Sequence, residues 1–288
     1  MKKKPYLLGV MQGRLLPKYK GYYQAHPVGM WQKEFEIAKD LKLDFIEFIF
    51  DSYEPEHNPL TSHQGLQEIR TISTKTGIKV NNVCADYFRD NPLHSVSTNI
   101  VNKSVTTLVS LIENCAKINI KEIMIPLVEK SSLTTEKSMQ EFAAVIKNFA
   151  ATLNKHSIKL SFETDLPPEK VIELLNMINI QSIAITYDVG DSASLDYNIT
   201  EEFKTYEKYI NTIHIKDRIK GGFSVALGTG NVNFDRFCQE LVKRKQQNIL
   251  TMQAYRDDEG LALFQKQLTW FKNKLDFWYE KKEEVCQL

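Results

Sequence analysis

The chain has 288 residues, of which 42% are hydrophobic and 25% are charged, and its 37 Lys+Arg and 36 Asp+Glu leave a formal charge of +1. The length fits one large α/β domain or two smaller ones. The near balance of charges argues against nucleic-acid binding, and no run approaches the ~20 apolar residues of a membrane span. A cytoplasmic protein without membrane attachment is predicted, and a homo-oligomer is compatible with the sequence.

In chain order, short apolar runs rich in β-branched residues alternate with stretches whose apolar residues recur at helical spacing. The predicted strands are residues 6–11, 44–50, 79–88, 122–128, 159–165, 182–188, 211–217 and 248–254. The predicted helices are residues 30–41, 65–77, 97–118, 135–155, 167–178, 200–209, 233–245 and 259–282.

Strands that alternate with helices indicate a parallel sheet. Eight such units, in a chain near the ~250 residues typical of the fold, predict a single (β/α)8 TIM barrel domain of the α/β class over residues 1–288. An open doubly wound sheet is the alternative. It normally carries a glycine-rich turn after its first strand, whereas this turn reads MQGRLLP, with one glycine.

The cysteines are widely spaced and form no C-x-x-C pair, which favours free thiols over a disulfide framework or a zinc knuckle. They are Cys84, Cys115, Cys238 and Cys286. The apolar run before Gln12 is too short for the core of a signal peptide.

Polar residues end, or nearly end, the last four predicted strands: Glu163, Asp188, His214 and Gln253. Catalytic groups of TIM barrels lie at the carboxyl ends of the strands. Two carboxylates, an imidazole and an amide oxygen could converge there on one divalent metal ion. The first three also have a structural interpretation, since Glu163 could form a salt bridge, Asp188 could cap a turn and His214 could be a core histidine.

Four cationic residues follow the first, seventh and eighth strands: Arg14, Lys216, Arg218 and Arg256. They could bind a phosphate or carboxylate of a substrate, or they could neutralise the carboxylates around the rim. Further polar residues at strand ends are Gln12, Glu47, Asp51, Asp86, Arg89, Glu129, Asp165, Asp191 and Asp217.

The segments SFETD, YDVGD, HIKD and LGTGNVNF give the chain a resemblance to the xylose isomerase-like TIM barrels, a superfamily of sugar phosphate isomerases and epimerases. GVMQGRL and NVCADYF are similar to a subgroup of it, so the resemblance covers nearly the whole chain. It implies a sugar substrate and one divalent metal ion (Mn, Co, Mg or Zn) held by Glu, Asp, His and a final Glu.

Glu163, Asp188 and His214 match the first three positions of that ligand set. In the resembled enzymes the metal polarises a carbonyl, and the two glutamates move a proton at the adjacent carbon. The resemblance therefore predicts an isomerase or epimerase that acts through an enediolate-type proton transfer.

Two positions depart from the family pattern. Gln253 stands at the final glutamate and cannot transfer a proton, and Asp191 stands where the family often has histidine. Glu163 could act alone, or Asp191, Asp217 or Glu47 could replace the lost carboxylate, and Glu47 is also a candidate substrate contact. A metal-dependent lyase or dehydratase, which needs one base, and a non-catalytic sugar-binding barrel remain alternatives.

Overall fold

A computed structural model describes residues 5–94 and 97–285, with side chains described as far as Lys282. The eight predicted apolar runs form the strands β1 (Tyr6–Met11), β2 (Phe45–Ile49), β3 (Lys79–Cys84), β4 (Glu122–Leu127), β5 (Lys159–Thr164), β6 (Ile183–Asp188), β7 (Ile210–Ile215) and β10 (Asn248–Met252). All neighbours pair in parallel and close a barrel in the order β1-β10-β7-β6-β5-β4-β3-β2. The prediction of a (β/α)8 TIM barrel is confirmed.

Helices connect successive barrel strands and lie outside the sheet. They are α1 (Gln32–Asp40), α2 (His63–Thr76), α3 (Tyr87–Asp90), α4 (Thr98–Lys117), α5 (Glu136–Lys147), α6 (Ala150–His156), α7 (Pro168–Ile178), α8 (Val189–Ser194), α9 (Ile199–Tyr206), α10 (Phe234–Lys243) and α11 (Leu261–Val285). Between β7 and α10, the two-residue strands β8 (Asp217–Arg218) and β9 (Ser224–Val225) pair antiparallel.

The helix predicted over residues 135–155 is divided into α5 and α6. At the junction, Asn148 N–H donates to Val145 O at 3.2 Å and Phe149 N–H donates to Ile146 O at 3.0 Å. Both bonds span three residues, as in a 3₁₀ turn, so the helix tightens here. Hydrophobic spacing does not register such a change, since the apolar face continues through it.

The main hydrophobic core lies between the strands and the helices, where for example the Phe142 and Phe162 rings meet edge to face at 5.2 Å. A second, small apolar cluster lies inside the barrel and consists of Met11, Ile49, Cys84 and Met124. Because both faces of the strands are buried, the strands read as nearly continuous apolar runs. Polar side chains inside the barrel are therefore exceptions that need partners.

The packing of β1 against β2 requires a glycine in β1. Gly9 pairs in register with Phe45 of β2, and a Cβ atom added at Gly9 would lie 2.4 Å from the Phe45 ring. The missing side chain lets the ring lie across the neighbouring strand.

The thiols of Cys84, Cys115 and Cys238 are free and buried, while Cys286 lies outside the described residues. Among the helices described, none is both long and apolar enough to cross a bilayer.

We expect Gly9→Ala to lower the free energy of unfolding by about 1–3 kcal/mol, because the new methyl group overpacks against the Phe45 ring. Urea denaturation measures this loss. The control is Lys79→Ala on exposed strand surface, where the change should stay within about 0.5 kcal/mol. Equal stability of both variants would contradict the close packing of β1 against β2.

Candidate metal and active site

The carboxyl ends of the barrel strands open into a cavity of about 640 Å³. Glu163 near the end of β5, Lys216 directly after β7 and Gln253 directly after β10 line it. The wall also includes Arg14, Gln24, Asp86, Asp191 and Arg218. The cavity thus lies on the face of the barrel where TIM-barrel enzymes have their active sites.

His214 on β7 connects two strands that are not its neighbours. Its Nδ1 lies 2.9 Å from Glu163 Oε1 on β5, and its Nε2 lies 3.1 Å from Glu47 Oε1 on β2. Glu47 Oε2 also accepts a hydrogen bond from Thr251 Oγ1 at 2.6 Å. These contacts cross the barrel interior, so the imidazole is fully buried with a carboxylate at each ring nitrogen.

Asp188 ends β6 and caps the short helix α8. Its Oδ1 accepts the backbone N–H groups of Gly190 and Asp191, both at 2.8 Å, which fixes the carboxylate. Its Oδ2 faces His214 Nδ1 at 4.0 Å and Lys216 Nζ at 2.8 Å. Lys216 contacts Oδ2 as an ion pair, whereas the two backbone N–H groups that fix the carboxylate donate to Oδ1.

Glu163, Asp188 and His214 together offer a candidate metal site. One ligand atom from each residue lies within 4.8 Å of the others, and all three residues are buried. Carboxylate oxygens with one imidazole suit a hard or borderline divalent cation. The structure therefore brings these three strand-end residues together.

The orientation of Gln253 is set by a directional chain of hydrogen bonds. Arg14 Nη2 donates to Gln24 Oε1 at 2.9 Å, and since a guanidinium only donates, that atom of Gln24 must be the oxygen. Gln253 Nε2 donates to the same oxygen at 3.1 Å. Gln253 Oε1 is therefore directed elsewhere, buried and without a partner among the described residues. An orphaned carbonyl oxygen in this cavity suits a neutral fourth metal ligand.

Burial and neighbouring charges shift the pKa values of these groups in different directions. Burial, with the negative charge of Asp191, raises the pKa of Asp188 to about 7. Burial opposes ionisation of Glu163, but its hydrogen bond with His214 leaves the pKa of that carboxyl below its usual value. Burial likewise opposes a charged His214, yet Glu47 and Glu163 raise the pKa of the imidazole well above its usual value.

Asp191, Lys216 and Arg218 form an ion-pair network on the cavity wall. Asp191 Oδ1 lies 2.9 Å from Lys216 Nζ and 2.8 Å from Arg218 Nη1. Although burial favours the neutral acid, the two cations hold the pKa of Asp191 below its usual value. Asp191 is therefore ionised and held in place between two positive charges.

Asp217 and Arg256, both predicted site residues, lie outside the cavity lining. The Asp217 carboxylate accepts backbone N–H groups from Gly228 at 2.9 Å, Gly230 at 2.8 Å and Val232 at 3.1 Å, so it organises the LGTGNVNF segment. The Arg256 guanidinium donates to the carbonyl oxygens of Gly13 and Leu16 and thereby ties the loop after β10 to the loop after β1.

Glu47 and Arg14 lie close to the cluster but differ in access. Glu47 is fully buried behind His214 and does not line the cavity. Arg14 does line it, with Nε donating to Ala254 O at 3.0 Å. Sequence reasoning missed Gln24, which lies in the long loop between β1 and α1 with no strand end to mark it. The length of that loop was the available signal, since long loops in compact domains are often functional.

A family model described as "Xylose isomerase-like TIM barrel" matches residues 35–274. The chain belongs to the xylose isomerase-like TIM barrel family. No curated protein sequence matches the chain.

Solved structures of the same fold cover nearly the whole barrel at low sequence identity. An L-ribulose 3-epimerase structure is 13% identical, with a TM-score of 0.76 over 97% of this chain and 98% of its own. A xylose isomerase-like TIM barrel protein from Mycobacterium smegmatis in complex with magnesium is 14% identical, with a TM-score of 0.68 over 95% of this chain and 98% of its own. The IOLI protein with a zinc atom is 15% identical, with a TM-score of 0.73 over 96% and 98%.

We expect Gln253→Leu to weaken Mn²⁺ binding about tenfold or more, because it removes an oxygen that would contact a charged ion. Gln253→Glu should strengthen binding, because it adds a negative charge. Titration calorimetry of the metal-free protein with Mn²⁺ measures both. The matched control is Tyr255→Phe, a change in the cavity wall that removes no candidate ligand. Unchanged affinity in Gln253→Leu would exclude Gln253 as a ligand.

Glu47→Gln should lower Mn²⁺ affinity about 10–100-fold, because the partner of a metal-binding histidine orients the ring and raises its basicity. Glu34→Gln is the control, since Glu34 is a second fully buried carboxyl that bonds the backbone N–H of Gly13 at 2.7 Å. Burial raises the pKa of Glu34 to about 8, so glutamine resembles its neutral form. Equal losses in both variants would assign the effect to general destabilisation.

Proposed function

We propose that this protein is a divalent-metal-dependent isomerase or epimerase that moves a proton at the carbon next to a carbonyl of a sugar or sugar derivative. The convergence of Glu163, Asp188 and His214 at the mouth of the barrel carries this proposal. Family membership and the fold of the L-ribulose 3-epimerase support the same reaction class.

Glu163, Asp188, His214 and Gln253 would hold the metal ion. A divalent cation bound there supplies a Lewis acid that polarises a carbonyl oxygen and orients neighbouring hydroxyl groups. The mixed oxygen and nitrogen donors are compatible with Mn, Co, Mg or Zn. Structures of the same fold contain magnesium in one case and zinc in another, which supports a divalent ion without selecting one.

Glu163 is the proposed general base. It lines the cavity, and only its Oε1 is engaged by His214, while Oε2 makes no hydrogen bond among the described residues. Its pKa lies below the usual value, so the carboxylate is ionised at neutral pH and can accept a proton. A base of this kind contributes roughly 10²–10⁴-fold to a rate.

Cationic and aromatic side chains form the proposed substrate contacts. Arg14, Lys216 and Arg218 line the cavity and present N–H donors to sugar oxygens or to an anionic group. Tyr23 and Tyr255, also in the wall, offer ring surfaces to an apolar sugar face. The cavity of about 640 Å³ lies in the range of small-molecule sites.

We expect the Mn²⁺-loaded protein to incorporate solvent deuterium at the α-carbon of at least one ketose or ketose phosphate in a panel followed by NMR. Glu163→Gln should lower that exchange roughly 100-fold or more, because an amide accepts no proton. Metal content at saturating Mn²⁺ is measured in parallel, so that loss of the base is separated from loss of the ion.

Other outcomes of the same experiment distinguish the alternatives. Loss of water from the sugar in place of reversible exchange would assign a lyase or dehydratase. Binding of sugars without exchange in the wild type would contradict the proposed reaction and favour a binding protein.

A further inference from the structure

Inversion at a carbon needs a proton donor on the face opposite the base, and this site has lost the usual one. Gln253 cannot donate an acidic proton, and its amide nitrogen is held by Gln24 Oε1 at 3.1 Å. The inference that follows rests on the proposed function. It concerns which residue supplies the second proton.

Three carboxylates near the site are already engaged. Asp191 is paired with Lys216 and Arg218, and Asp217 accepts three backbone N–H groups away from the cavity lining. Glu47 is sealed behind His214, with one oxygen accepting from Thr251. None of the three presents a proton to a bound substrate.

Asp86 differs from these three carboxylates in its access to the cavity and in its partners. It lies two residues after the end of β3, lines the same cavity as Glu163 and is 3% exposed. Its Oδ2 accepts from Gln24 Nε2 at 2.7 Å, while Oδ1 has, among the described residues, only the Cys84 thiol at 3.5 Å, a weak donor. Among the described residues no cationic nitrogen forms an ion pair with Asp86 within 4.0 Å.

The surroundings of Asp86 favour its protonated form. Burial raises the pKa of this carboxyl above its usual value, and the negative charge of Glu163 adds to the increase although Arg89 opposes it. Both carboxyls line one cavity. A carboxyl of raised pKa on the wall of the same cavity as an ionised one is the arrangement that acid and base catalysis uses.

We propose that Asp86 is the second proton-transfer residue of this site and replaces the carboxylate that Gln253 lacks. Glu163 removes the α-proton, and the electrons of the C–H bond pass into the enediolate. Protonated Asp86 then donates its proton to the opposite face, and a C–H bond forms there. The step ends with Glu163 protonated and Asp86 ionised, and exchange with water restores both groups without an oxidant or reductant.

Gln24 is the positioning residue in this arrangement. The oxygen of its side-chain amide accepts a hydrogen bond from Gln253 Nε2, and the nitrogen of the same amide donates to Asp86 Oδ2. The donated N–H stabilises the carboxylate that Asp86 becomes after proton transfer. The same contact fixes the carboxyl against the cavity wall.

The test is Asp86→Asn in the Mn²⁺-loaded full chain, with a sugar that the wild type converts in D₂O. Asparagine keeps an oxygen for the Gln24 hydrogen bond but has no acidic proton. Conversion to the epimer should fall at least about 100-fold. Deuterium exchange into the unconverted sugar, which uses Glu163 alone, should stay within about threefold of the wild type. A structural defect would lower both rates together.

Asp165→Asn is the matched control, since Asp165 lines the same cavity and accepts from Ser132 Oγ at 2.8 Å without contacting Gln24. Its rates of epimer formation and of deuterium exchange should both remain near the wild-type values. Asp86→Glu restores a carboxyl and should recover part of the conversion, which an effect of folding alone would not show.

The outcomes separate this inference from the proposed function. Two results would overturn the role of Asp86 but leave the proposed function standing. One is a wild-type conversion rate in Asp86→Asn. The other is a parallel loss of exchange and conversion that Asp86→Glu does not recover. Absence of exchange in the wild type across the sugar panel would overturn the proposed function, and the role of Asp86 with it.

Discussion

The fully buried imidazole of His214, held between Glu163 and Glu47, is the interaction on which the rest of the site depends. Charges inside a closed barrel are costly unless each has a partner, and removing one partner leaves the other unpaired. The carboxylates come from strands on different sides of β7. The barrel must therefore close in its observed register for the cluster to exist, so fold and site stabilise each other.

A second set of charges completes the balance at the rim. Lys216 lies 2.8 Å from Asp188 and 2.9 Å from Asp191, so one ammonium group offsets two carboxylates. An incoming divalent cation would share Asp188 with this lysine. This positive charge between the two carboxylates lowers the cost of burying them together.

Sequence reasoning located the strands and the convergent triad because both depend on local pattern. Apolar runs mark buried parallel strands, and the end of a strand fixes the barrel face on which Glu163, Asp188 and His214 lie. It did not show that Asp217 and Arg256 lie outside the cavity lining. The backbone N–H groups and carbonyls that these two residues bind belong to loops, and the course of a loop leaves no periodic pattern in the sequence. Gln24 was missed for the same reason, since its role exists only through contacts with Arg14, Asp86 and Gln253.

The hydrogen bond from Gln253 to Gln24 also has a thermodynamic consequence. Gln24 belongs to the connection between β1 and α1, so the orientation of a candidate metal ligand depends on the conformation of a loop. When a ligand binds more tightly to one conformation, it stabilises that conformation by the same free energy. Cation affinity and the conformation of this connection are thus reciprocal quantities, and a substitution in the connection that reorients Gln24 would change cation affinity without altering any candidate ligand.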